Sequence, residues 1–142
     1  MTLPESVRNL IATAPVANLT TLNKDGSPQM TVVWVGIEGD EIVIGHLDLH
    51  QKIENMRRDA RVALSLLGPG KNAIGLQEYL VIYGEARVTE GDAVPLLQRL
   101  AHIYLGPDAD FPPAALRDRP GFVTRITPRR LAGVEPWISR QP

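Results

Sequence analysis

A chain of 142 residues, 44% of them hydrophobic, has the size of one domain with one core, and it carries fifteen Lys and Arg against sixteen Asp and Glu. That balance, with the basic residues scattered rather than gathered in a tract, argues against nucleic-acid and membrane partners. The absence of cysteine excludes disulfides, thiolate metal sites and a cysteine nucleophile.

The three histidines, His46, His50 and His102, show no metal-ligand spacing. With no apolar leader and no membrane-length apolar run, the expectation is a cytoplasmic protein, one domain over residues 1–142. Residues 4–14 read as a short amphipathic helix, with Pro4 in an early position and Val7, Leu10 and Ile11 facing in. Residues 16–22 are β-branched and loosely alternating, and the Lys24-Asp25-Gly26 turn closes them as a strand. Residues 29–37 make a second strand, apolar on both faces, which suits core on one side and a ligand or partner subunit on the other. After the Glu38-Gly39-Asp40 turn, residues 41–46 form the third.

A short helix follows. Asp48 can cap it, with Gln51 at the third helical position in the capping-box arrangement. Leu49, Ile53, Met56 and Ala60 mark a buried stripe, flanked by Lys52 and Asn55. His50 and Lys52 stand in the first turn, where the helix dipole disfavours a cation by about 0.3–1 kcal/mol, whereas Arg57 and Arg58 complement it in the last. Two readings of Lys52 stay open: a solvated surface lysine, or an anion site on which backbone N–H groups, an imidazole and an ammonium converge.

Residues 61–67 are a fourth strand and residues 68–76 a glycine- and proline-containing loop. Residues 77–89 form a long strand with Tyr79, Val81 and Tyr83 on one face and Leu80 and Ile82 on the other. Gly84 inside it marks a bulge or a close backbone approach. Residues 91–105 are the best helix, with Asp92 as a cap and Val94, Leu97, Leu100, Ala101 and Tyr104 on one stripe; Gly106-Pro107 ends it. His102, beside that stripe, reads as structural or solvated. A Pro/Ala-rich connection with one helical turn leads to closing strands at 121–127 and 130–134, broken by Pro128.

Six or seven strands with turn-rich joins and two substantial helices predict a mainly β protein, an antiparallel sheet curled into a barrel with flanking helices. No strand enters a crossover helix through a glycine-rich turn, so a Rossmann fold is excluded. The sequence shows no phosphate loop, nucleophile elbow or paired-carboxylate constellation.

Four stretches, spanning nearly the whole chain, carry a resemblance. They are the DGSPQMTVVWV hairpin, the pattern Lys52-x-x-Asn55-x-x-Arg58-Asp59-Ala60-Arg61-Val62, the YLVIYGEARV strand and the RITPRRLAGVEPW end. The chain resembles the pyridoxamine 5′-phosphate oxidase-like split β-barrel family and, within it, the branch that binds the deazaflavin coenzyme F420 rather than FMN. The resemblance implies an FMN-binding-like split β-barrel of six to seven antiparallel strands with two to four short helices. It also implies a homodimer with the cofactor at the subunit interface. The activity implied is an F420-dependent oxidoreductase that reduces a conjugated small-molecule acceptor by hydride transfer; the alternatives are an FMN enzyme of the same fold and a non-catalytic F420 carrier or sensor.

On that resemblance, Met30, Thr31, Val32 and Val33 run alongside the ring system, and His46, His50, Gln51 and Lys52 hold the phosphate end. Gln77 and Tyr79 reach the same site from the second subunit, and Trp137 covers the ring. No catalytic side chain or metal ligand is expected, because the cofactor carries the hydride and the protein supplies position. A proton would come from solvent or from Tyr79, whose ordinary role on a sheet is packing. The FMN oxidases of the family carry an arginine ahead of a leucine-rich strand ending in lysine, where this chain has Met30 to Val35. Their C-terminal arginine–histidine pair has no counterpart after Arg125. Both departures argue against oxidation of pyridoxamine phosphate while leaving FMN open as the bound flavin.

Overall fold

A computed structural model describes residues 1–134 together with Pro136 and Trp137. The chain runs α1 (Glu5–Ala12), β1 (Ala17–Leu22), β2 (Pro28–Val33), β3 (Gly36–Glu38), β4 (Glu41–His46), α2 (Gln51–Arg58), β5 (Arg61–Lys71), β6 (Gln77–Glu90), α3 (Ala93–Tyr104), a 3-10 turn (Ala114–Leu116) and β7 (Phe122–Val134). All strand pairs are antiparallel, in the order β2-β1-β5-β6-β7-β4-β3.

The edge strands are β2 and β3, yet only Trp34 and Val35 separate them in sequence. Three Cα steps reach at most about 10 Å, so the sheet must curl until its two edges meet. The result is the expected mainly β, split-barrel architecture, with its split at Trp34-Val35. Tyr104 of α3 bridges that split. Its hydroxyl accepts the Val35 N–H at 3.0 Å and donates to the Pro15 carbonyl at 2.7 Å.

Strand alternation turns Leu19, Leu64, Leu66, Leu80, Ile82 and Ile126 into the barrel, where α1 adds Val7, Leu10 and Ile11, and α2 adds Ile53 and Met56. Strand β4 is buried on both faces: Ile42 and Ile44 point inward, while Val43 packs with Leu96, Leu100 and Val123 beneath α3. Glycine makes that close packing possible. A Cβ on Gly36 would lie 2.7 Å from Leu100 Cδ2, and one on Gly45 would lie 2.9 Å from Leu97 Cγ.

Several boundaries differ from the sequence reading. Residues 29–37 are two strands, because the chain turns at the split; the apolar run hides the break, since Val35 is itself buried. The expected loop at 68–76 shrinks to residues 72–76. Strand β5 persists through Gly68, Pro69 and Gly70 because the Gln77 side-chain amide donates to the carbonyls of Gly68 (2.5 Å) and Gly70 (3.1 Å). The two closing strands are one, since Pro128 sits opposite Gly84, where β6 shifts register and so accommodates the missing N–H. The expected close approach at Gly84 is present, as a Cβ there would lie 2.5 Å from the Thr127 carbonyl oxygen. Asp92 stands at the start of α3 but makes no side-chain cap, and that helix buries Ala93 and Leu96 rather than Val94. No helix among the described residues is long and apolar enough to cross a membrane.

Candidate functional site

The site forms where β4 ends at His46 and the chain enters α2. His50, not Asp48, occupies the N-cap position, and no side chain caps the helix. Asp48 is drawn away into an ion pair with Arg119, so the expected cap is lost to a longer-range partner. Gln51 is the first helical residue rather than the third, and its Nε2 donates to Asn55 Oδ1 at 2.9 Å. The buried side of α2 consists of Ile53, Asn55 and Met56; Leu49 and Ala60, expected on that stripe, are exposed. The first N–H groups of α2 have no intrahelical acceptor, and the dipole concentrates partial positive charge there.

A cavity of about 380 Å³ opens beside this helix start. It is lined by the polar side chains of His46, Asp48, His50 and Lys52 and by the apolar ones of Val16, Val32, Val33, Trp34, Leu97 and Phe111. Lys52 is half-buried, with Nζ 3.5 Å from Thr31 Oγ1, and desolvation lowers its pKa. His46 is buried, with Nε2 2.9 Å from Thr124 Oγ1. Desolvation first, then the charges of Lys52 and His50, push its pKa down to about 3. At neutral pH His46 is therefore a neutral hydrogen-bonding group, and the Lys52 ammonium supplies the cationic charge. In the wall, Trp34 stacks on Tyr104, with centroids 5.3 Å apart and planes at 15°, and meets Phe111 edge-on at 5.3 Å.

The structure brings together five of the residues singled out in the sequence: Val32, Val33, His46, His50 and Lys52. Thr31 borders them through Lys52. Met30 points outward from the edge strand and is 66% exposed. Gln51 turns to Asn55, and Gln77 is engaged with the Gly68 and Gly70 carbonyls. Tyr79 lies on the outer face of β6. Trp137 is buried, donating its indole N–H to the Tyr79 carbonyl at 2.7 Å in a depression shared with Ser6, Asn9 and Leu10 of α1. Within one chain, then, Gln77, Tyr79 and Trp137 stand outside the cavity.

The two aromatic wall residues are not among those the sequence singles out. Trp34 sits in an apolar run that reads as one strand although it lies in the link between two, and Phe111 sits in a Pro/Ala-rich connection with no periodicity to betray it. No group of three His, Cys, Asp or Glu among the described residues could hold a metal. The lining fits a different guest, one with an anionic group for the uncapped helix start and Lys52, and a flat apolar part for the aromatic and aliphatic side chains.

Fold and cavity define the class as a split β-barrel with a ligand-sized cavity beside its split. The family model described as pyridoxamine 5′-phosphate oxidase matches residues 3–135, and the chain belongs to that family. It is similar to a solved F420 reductase at 25% identity and a TM-score of 0.73, covering 92% of this chain and 98% of that one. A conserved hypothetical protein from Mycobacterium tuberculosis shares the fold at 22% identity and a TM-score of 0.73, covering 100% and 94%. A heme binding protein from Mycobacterium smegmatis shares it at 24% identity and a TM-score of 0.62, covering 92% and 52%. None of the curated protein sequences matches. Family and reductase neighbour together support an oxidoreductase.

Proposed function

We propose that this protein binds coenzyme F420 and reduces a conjugated small-molecule acceptor by hydride transfer from its reduced form. The observation that carries the reading is the uncapped start of α2, with a half-buried Lys52, beside a cavity whose lining also includes Trp34, Phe111 and aliphatic side chains. The likeness to an F420 reductase points the same way. When bound, the deazaflavin supplies the hydride. The chain's residues do the rest. Lys52 and the free N–H groups of Gln51 and Lys52 hold the phosphate, with His50 at the rim and neutral His46 as a hydrogen-bonding partner. Met30, Thr31, Val32 and Val33 offer the ring an edge strand, and Trp34 and Phe111 offer it an aromatic wall.

The same proposal makes the protein a homodimer. The outer sheet face exposes Met30, Val32, Leu67, Tyr79 and Tyr83, an apolar surface of the kind a partner covers. A second copy would bring Gln77 and Tyr79 to the cavity of the first. Light scattering at micromolar concentration should give a dimer, and a monomer would contradict the shared site.

FMN is the competing guest, favoured by family membership, since the same helix start suits its single phosphate. Purified protein that is yellow and flavin-fluorescent would favour it. The enzymatic part is tested by following reoxidation of reduced F420 with a panel of quinones, enones and tetrapyrroles. Acceptor-dependent turnover supports the reductase, and tight binding without turnover would make the protein a carrier or sensor.

A further inference from the structure

A lysine free to swing into solvent would serve an anion poorly, and two side-chain rungs join α2 to β2 at and beside Lys52. Gln29, Thr31 and Val33 alternate with the exposed Pro28, Met30 and Val32, so they share the inward face of β2. Asn55 is fully buried and sets Nδ2 3.3 Å from Gln29 Oε1, while one helical turn earlier Lys52 Nζ lies 3.5 Å from Thr31 Oγ1. The two rungs run in opposite chain directions, three residues apart on the helix and two on the strand.

Asn55 is the firmer of the two. Its Nδ2 also reaches Thr21 Oγ1 at 3.0 Å and Asn23 Oδ1 at 2.9 Å, and its Oδ1 accepts from Gln51 Nε2 at 2.9 Å and Arg58 Nη2 at 3.0 Å. Arg58 in turn donates to the Leu22 carbonyl at 2.5 Å. One buried carboxamide therefore ties the first and last turns of α2 to both strands of the β1–β2 hairpin. The Asn55 carboxamide itself is buried, with its two Nδ2 hydrogens shared among three acceptors, and a buried amide held this way tolerates loss of its partners badly.

We propose that Asn55 is the positioning residue of the anion site: it registers α2 on the β1–β2 hairpin, so that Lys52 stays half-buried beside Thr31 at a fixed distance from the strand bordering the cavity. This rests on the reading that Lys52 holds a cofactor phosphate, and adds the residue that couples the phosphate end to the ring end. Burial supplies a reporter. In place, the Lys52 ammonium titrates below the ordinary lysine range; released to solvent, it returns to that range.

The test is F420 affinity, read by fluorescence quenching from neutral to strongly alkaline pH, for wild type, Lys52→Ala, Asn55→Ala and Gln29→Ala, with apo melting alongside. Gln29→Ala removes one rung and leaves Asn55 four other partners, so it keeps the test intact if Asn55→Ala fails to fold. Wild-type binding should fall as pH rises through the lowered Lys52 pKa, and Lys52→Ala should bind weakly without that limb. Asn55→Ala should bind roughly tenfold more weakly at neutral pH, with the limb displaced upward, and Gln29→Ala should move the same way by less. Wild-type affinity with an unmoved limb in both variants overturns the positioning role and leaves the phosphate assignment standing. Weakened binding with an unmoved limb overturns it too, as general loosening. Lys52→Ala binding as tightly as wild type would remove the phosphate assignment itself, and this inference with it.

Discussion

Replacing Tyr104 with phenylalanine removes one oxygen and with it the bridge across the split. The hydroxyl satisfies the N–H of Val35, a residue only 1% exposed, and donates to the Pro15 carbonyl. Water cannot readily replace it at Val35, so an orphaned buried N–H costs about 1–3 kcal/mol. Pro15 is partly exposed and recovers a partner from solvent, which places the sum near about 2 kcal/mol. An unfolding entropy of about 2.1 cal/mol/K per residue gives about 0.3 kcal/mol/K for this chain, so the melting temperature should drop by about 7 °C. Burial raises the Tyr104 pKa, so the hydroxyl keeps its proton through neutral and mildly alkaline pH and the bridge is intact under ordinary assay conditions. The aromatic ring remains, stacked on Trp34, so F420 binding should change little while stability falls. Scanning calorimetry and urea titration measure the loss. A melting temperature within about 1 °C of wild type would mean that the split is not held by this hydroxyl.

Gly36→Ala should destabilise by about 1–3 kcal/mol through overpacking against Leu100, measurable by urea denaturation. Trp137→Ala should cost about 3–5 kcal/mol, since the indole is buried and bonded to the Tyr79 carbonyl, and the apo protein should show the loss in its melting curve. The folded-state pKa of His46 lies near 3, below the unfolded value. The unfolded chain therefore binds more protons across that interval, and stability should fall as pH drops from the ordinary histidine range toward about 3. His46→Gln should flatten that decline relative to wild type in melts taken across the interval, and a parallel decline would place His46 in a wetter setting.

What the sequence revealed was what short-range pattern controls. Strand β4 at residues 41–46 matches its expected bounds, and the alternation of Leu80 and Ile82 against Tyr79 and Tyr83 gave the inner and outer faces of β6. What escaped depends on partners distant in the chain. Arg119, seventy-one positions away, takes Asp48 from its expected capping role. The Gln77 amide keeps Gly68 and Gly70 within a strand. Trp34 and Val35 look like mid-strand residues until Tyr104, sixty-nine positions beyond Val35, supplies what no neighbouring strand can. For the site, the wrong-sign charges of the first α2 turn were visible locally, and five residues of the reading do share one cavity. The aromatic wall was not visible, because Phe111 reaches Trp34 only through the fold.

The assignment of the start of α2 as a cofactor phosphate site underlies the proposed function. It is tested most directly by titrating apo protein with F420 and, separately, with FMN at neutral pH, reading the quenching of cofactor fluorescence in wild type and Lys52→Ala. F420 should bind tightly, and the substitution should weaken binding by roughly ten- to a hundredfold, the loss of a charge-assisted contact worth about 1.5–3 kcal/mol, with apo melting nearly unchanged. Binding of neither cofactor, or equal binding by the variant, would contradict this and leave the half-buried Lys52 without an anion-binding role.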